Sequence, residues 1–171
     1  YQQALNQIEK KELMDILDKK HQFELPAGIL DEEFHTIWHR LEHAKKDNKL
    51  DDDDKNLSEE ELKKRYKKIS ERRVKLALLI QFIAKEEKIS ISEKELTEGM
   101  INYASQYSGQ EKQILEYFKK NPSSVENIRG SLLEQKVIDN ILSKVKLSKH
   151  KLTIEAYNKL QDKVFKITEE N

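Results

Sequence analysis

Cysteine is absent from this 171-residue chain, which removes disulfides, thiolate metal sites and cysteine nucleophiles together. Glycine and proline are almost as scarce, at 4 and 2 residues. So little turn chemistry argues for a few long helices. The four glycines stand far apart, which excludes a glycine-rich phosphate loop. An excess of charge of either sign is missing too, because 32 lysines and arginines balance 32 aspartates and glutamates. No global field therefore favours nucleic acid or an anionic membrane, and neither is expected as a partner. No apolar run approaches the ~20 residues of a membrane-spanning helix, and no signal-peptide pattern is present. The chain begins at Tyr1, inside a helical pattern and without methionine, so it is expected to be an excised piece of a longer protein.

What is abundant is charge. Charged residues make up 37% and hydrophobic residues 36%, fewer apolar side chains than an average globular protein has. An elongated molecule with thin layers and much exposed surface fits that balance better than a compact sphere. The one dense apolar run, Val74 to Ile83, is interrupted only by Lys75 and Gln81. A helix apolar around most of its circumference must be covered by protein on several sides. The run is expected to be the spine of a helical domain.

The periodicity predicts an all-α chain of seven helices. The first spans 2–20, with Leu5, Ile8, Leu13, Ile16 and Leu17 along one side. A connector holding Pro26 and Gly28 leads to a second helix over 31–46, whose acidic start at Asp31, Glu32 and Glu33 suits the positive end of a helix dipole. Residues 47–56, with four consecutive aspartates, form an acidic surface loop, because like charges repel and stay solvated. Asp51 to Lys55 also spells an enterokinase site. It lies between two helices rather than at a terminus, so it is read as part of the natural chain. Ser58-x-x-Glu61 and Ser92-x-x-Glu95 are capping boxes opening a third helix to about residue 88 and a fourth to about 107. A short fifth covers 110–120, and Asn121-Pro122 opens a sixth that runs to about 144. Residues 147–152 read as a basic linker. Thr153 caps a seventh helix carrying Ile154, Tyr157, Leu160, Val164 and Phe165.

Chemistry is almost missing. The serines sit in caps and loops, and the carboxylates are flanked by lysines on polar faces, so no catalytic residue and no cofactor are expected. His35, His39 and His43 share one helical stripe, and two imidazoles at that spacing chelate a transition metal. With no clear acidic ligand nearby, they are read as structural histidines that bind nickel or zinc only incidentally. Leu96, Met100, Tyr103 and Tyr107 form an apolar stripe that Ile114, Tyr117 and Phe118 continue beyond Gly109. That much aromatic area on short helices is either an internal seam or an exposed patch. Tyrosine and methionine also suit adaptable binding surfaces.

Four segments together resemble a known family. Pro26-Ala27-Gly28-Ile29-Leu30-Asp31 resembles a helix start in the C-terminal domain of trigger factor, the bacterial ribosome-associated chaperone. Glu71-Arg72-Arg73-Val74 and the apolar run after it are similar to that family's spine helix. Tyr103 to Tyr107, with Ile114 to Phe118, resembles its arm segment. Asn127-Ile128-Arg129, with Glu134 and Val137, resembles a later helix. The resemblance covers nearly all of 1–171, in the family's order. It implies a helical body with protruding arms around an open cradle, in the bacterial cytoplasm. It implies unfolded or nascent polypeptides as partners, and ribosome contact only through an N-terminal domain not visible in these residues. The family's prolyl-isomerase domain is not visible either, so no enzyme activity is expected.

Carried over residue by residue, the client-contacting positions are Phe34, Ile37, Tyr103, Tyr107, Ile114 and Tyr117. Tyrosine replaces the family's more usual methionine at Tyr103, and one extra residue lies between Tyr107 and Ile114. The implied mechanism is ATP-independent holding, in which apolar patches within a polar frame bind many chains without reading their sequence. Two other readings stay open at this point. One is the helical domain of an exported parvulin-type chaperone, and the other is a helical scaffold with one defined partner.

Overall fold

The computed structural model describes residues 2–145, with side chains from Leu5 onward. Within them lie six helices and no strand: α1 (Gln2–Lys20), α2 (Ala27–Lys46), α3 (Glu59–Glu86), α4 (Glu93–Ser105), α5 (Glu111–Lys120) and α6 (Pro122–Lys144). The expected all-α class is what the chain adopts. The basic linker and seventh helix expected beyond residue 145 lie outside the described residues. α2 starts four residues earlier than the acidic cluster suggested. Pro26, at φ −60° and ψ 120°, occupies the N-cap and lets Ala27 and Gly28 take the first turn.

The described residues divide into two compact units, one ending at Leu79 and the other beginning at Ile80. α3 begins in the first, and its residues from Ile80 belong to the second. In the first unit Leu13, Leu17, Ile37, Leu41, Leu62, Val74 and Leu76 are buried. Charged pairs frame this thin core. Arg72 donates to Asp15 at 2.7 Å, and Lys75 donates to Asp18 at 2.8 Å, joining α3 to α1. Burial alone would raise the Asp15 carboxyl, but Lys11 and Arg72 hold it below its ordinary value. Arg73 pairs with Glu33 at 3.0 Å, and the Lys63 ammonium lies 5.5 Å from the centre of the Trp38 ring, joining α3 to α2.

The acidic segment between α2 and α3 departs from its expected solvation at one residue. Asp51, Asp52 and Asp53 are exposed, but Asp54 is only 2% exposed. Its carboxylate accepts a 2.5 Å hydrogen bond from the Tyr66 hydroxyl and lies 3.4 Å from the Arg65 guanidinium. Burial first, and then the Asp54 carboxylate, push the Tyr66 phenol above its ordinary range. The Asp54 and Lys55 amides both donate to the Asp51 carbonyl, which folds the segment into a turn.

In the second unit α4, α5 and α6 pack on one another around Leu96, Ala104, Phe118, Val137 and Ile138. The α4–α6 approach is close at Gly99, where a Cβ would meet Leu132 Cδ1 at 2.7 Å. Lys136 and Arg129 of α6 fasten the start of α4. Lys136 donates to Glu95 at 2.6 Å and to the Ser90 carbonyl at 3.0 Å. Arg129 donates to Glu93 at 3.1 Å and to the Ile91 carbonyl at 3.3 Å. The apolar run of α3 is less enclosed than its composition suggested. Val74, Leu76, Leu79, Ile80 and Ala84 are buried, yet Phe82 is 61% exposed.

Candidate functional site

The turn at Gly109 builds the most distinctive surface of the second unit. α4 ends at Ser105, and the Tyr107 amide still reaches the Ala104 carbonyl. Gly109 then takes φ +84°, a left-handed conformation open to glycine at little cost. The chain reverses, and α5 returns against α4. The aromatic stripes of the two helices meet as a result.

Phe118, on α5, is buried beneath this surface. The Tyr103 ring stands edge-on to it, with centroids 5.6 Å apart and planes at 66°. Tyr107 leans on Tyr103 at 5.5 Å, and their hydroxyls are 3.3 Å apart. Tyr117 lies 6.2 Å from Phe118, and its hydroxyl accepts a bond from Ser124 at the start of α6. Tyr103, Tyr107 and Tyr117 are 39%, 45% and 53% exposed. Large aromatic side chains left open in one place are the informative exception on a protein surface. The hydroxyl contact with Tyr107 raises the Tyr103 phenol above its ordinary value.

The stripe read from sequence is therefore graded. Leu96 is buried, Met100 half-buried, and Tyr103 and Tyr107 open to solvent. Seam and patch are both present, the seam within α4 and the patch at its last turn and just beyond its end. Ile114 is half-buried on α5, one turn before Phe118. The two candidates on α2 belong to the first unit and do not match each other. Phe34 is half-buried and stacked on Trp38 at 5.8 Å and 21°, whereas Ile37 is buried and serves as core. Phe118 is the residue that orients the tyrosines without presenting itself. Its position four residues after Ile114 was the available signal.

The other sequence candidates offer no catalytic arrangement. His39 and His43 approach each other, with Nε2 atoms 3.3 Å apart, while His35 lies against Phe34. Among the described residues, no group of three or more histidine, cysteine, aspartate or glutamate side chains could hold a metal ion. No described helix is long and apolar enough to cross a membrane.

Comparison with known proteins adds a family. Residues 1–143 match the family model described as bacterial trigger factor protein C-terminus. A trigger factor of Rhodospirillum centenum is 40% identical over 146 residues, covering 85% of this chain and 33% of the relative. That of Gluconobacter oxydans is 41% identical over 155 residues, 91% of this chain and 35% of the relative. That of Granulibacter bethesdensis is 36% identical over 162 residues, 95% and 36% of the two chains. The chain thus spans about a third of the length of the curated relatives it matches. The matched region is the C-terminal one and indicates no enzyme domain.

Proposed function

The chain belongs to the family of bacterial trigger factor C-termini, and from that membership we propose that it is an ATP-independent holding module for unfolded or nascent polypeptides. The observation that carries the reading is the open cluster of Tyr103, Tyr107 and Tyr117 over buried Phe118. Burying apolar area stabilises a complex by about 25 cal/mol per Å², with no demand on the partner's sequence. Three partly exposed rings give enough area to capture a chain and too little to retain it. The phenol hydroxyls offer hydrogen bonds to whatever backbone is captured. The charged surface around them keeps the module soluble while clients are held.

Ile114 extends the surface as a half-buried neighbour, and Phe34 with Trp38 offers a second aromatic platform in the first unit. Ile37 is assigned to support rather than contact, because it is only 7% exposed. Ribosome docking and prolyl isomerisation are assigned to the part of the relatives outside the match, and the bacterial cytoplasm to the site of action.

The test is the paired change Tyr107→Ser and Tyr117→Ser, read by titration with a fluorescent unfolded client and by thermal unfolding. Affinity is expected to fall severalfold while the melting temperature moves by a few degrees. Unchanged affinity, or a melting temperature that collapses as core loss would make it, overturns the assignment.

A further inference from the structure

We propose that His39 and His43 form a two-imidazole site for a late first-row divalent cation on the exposed face of α2. The two side chains lie one turn apart near the end of the helix, and both are solvent-exposed. Their Nε2 atoms are 3.3 Å apart, with ring planes at 72° and centroids at 4.5 Å. A tetrahedral ion bound at about 2.0–2.1 Å by each of two imidazoles holds their nitrogens about 3.3 Å apart. The pair already has the separation that a tetrahedral chelate requires, and binding turns the two nitrogens from each other towards the ion.

Without an ion, one ring donates its Nε2 proton to the other. Binding needs both lone pairs, so the donor ring shifts that proton to Nδ1. The remaining coordination positions are filled by water, because no third histidine or carboxylate converges among the described residues. His35 is turned towards Phe34, 6.2 Å away, and Glu42 accepts the Trp38 indole N–H at 3.2 Å. A site of two nitrogens and water at that separation suits zinc by geometry. Copper(II), which has the higher intrinsic affinity for nitrogen ligands, draws the two rings closer into its square-planar positions. Magnesium and calcium, which take oxygen ligands, are not suited. A chelate across one helical turn exists only when α2 is folded. The ion therefore acts as a clip on the last turns of α2, and it stabilises the folded chain by mass action.

The experiment uses the whole chain without an affinity tag. It is titrated with copper(II), zinc and magnesium by calorimetry, with melting temperature recorded at each concentration. One site is expected for copper(II) and zinc and none for magnesium, with a melting temperature that rises with copper(II). His39→Asn and His43→Asn should each weaken binding about tenfold or more, because each turns an intramolecular second ligand into none. His35→Asn should leave binding unchanged, and circular dichroism should show all three variants folded. Absent copper(II) binding, binding indifferent to His39→Asn and His43→Asn, or an equal loss in His35→Asn would overturn the site.

Discussion

Asp54 shows how a single residue can reverse the reading of its surroundings. Four consecutive aspartates predict mutual repulsion and solvation, and for Asp51, Asp52 and Asp53 that holds. Asp54 instead is buried, because Tyr66, two turns into α3, supplies a hydroxyl within 2.5 Å. Nothing local marks this partnership, since the residues are twelve apart and tyrosine is equally at home as a surface residue. Tyr66→Phe keeps the ring and removes only the donor, so a buried carboxylate loses a hydrogen bond. A hydrogen bond to a charged group contributes about 1.5–3 kcal/mol, and that much stability should be lost in urea unfolding. A second readout comes from the sequence itself. Enterokinase should spare Lys55 in the native chain, where Asp51 to Lys55 is folded into a turn, and cut it faster in Tyr66→Phe. Equal cleavage of both chains would mean that Asp54 does not anchor the segment. The same limit on local reading applies to Phe34 and Ile37. Both fit an apolar helix face, and only packing decides which is core and which borders solvent.

At the level of elements, helix starts were legible wherever the chain uses side-chain caps. Ser58 and Ser92 each exchange hydrogen bonds with the glutamate three residues on, as the spacing predicts. Helix ends were harder to place. α2 and α3 both close by the Lys49-to-Ala44 and Ile89-to-Ala84 amide bonds that follow a left-handed residue, but that residue is Asn48 or Lys88 rather than glycine. Glu95 links capping to packing. Its bonds to Lys136 and then to Ser92 lower its carboxyl from 4.5 to about 2. A depressed carboxyl stabilises the fold above its unfolded value and loses that contribution as pH falls through the folded one. The α4 cap should therefore weaken between about pH 5 and pH 2. Carboxyl NMR should place Glu95 near 2 in the native chain and well above that in Lys136→Met; a titration near 4.5 in both would contradict the link.

Two glycines separate helix propensity from helix packing. Gly130 lies within α6 with nothing within 4 Å of an added Cβ, so Gly130→Ala should stabilise by about 0.5–1 kcal/mol. Gly99→Ala gains the same propensity but drives Leu132 aside, and overpacking costs about 1–3 kcal/mol. Its denaturation midpoint should fall or stay level while that of Gly130→Ala rises. Parallel gains would argue against the close α4–α6 approach.

For the whole molecule, the all-α class was readable from scarce glycine and proline and from unbroken 3.6-residue periodicity. The division near Leu79 and Ile80 was not, because α3 continues through it without any break in composition. Charge balance is the global property with the most direct consequence for binding. With 32 charges of each sign and a pI of about 7.2, the molecule has almost no net field at neutral pH. Ribosomal RNA should therefore not attract it, and a charged client should not be steered to it. If capture rests on the tyrosine cluster, affinity for an unfolded client should change less than about twofold between 50 and 500 mM salt. The binding heat capacity should be negative, the mark of apolar burial. Binding through the charged surface instead would weaken steeply over the same range, since exposed pairs are screened beyond about 10 Å at 0.1 M. Calorimetry at both salt concentrations and two temperatures separates these outcomes. A steep fall with salt would move client binding from Tyr103, Tyr107 and Tyr117 to the lysines and glutamates around them.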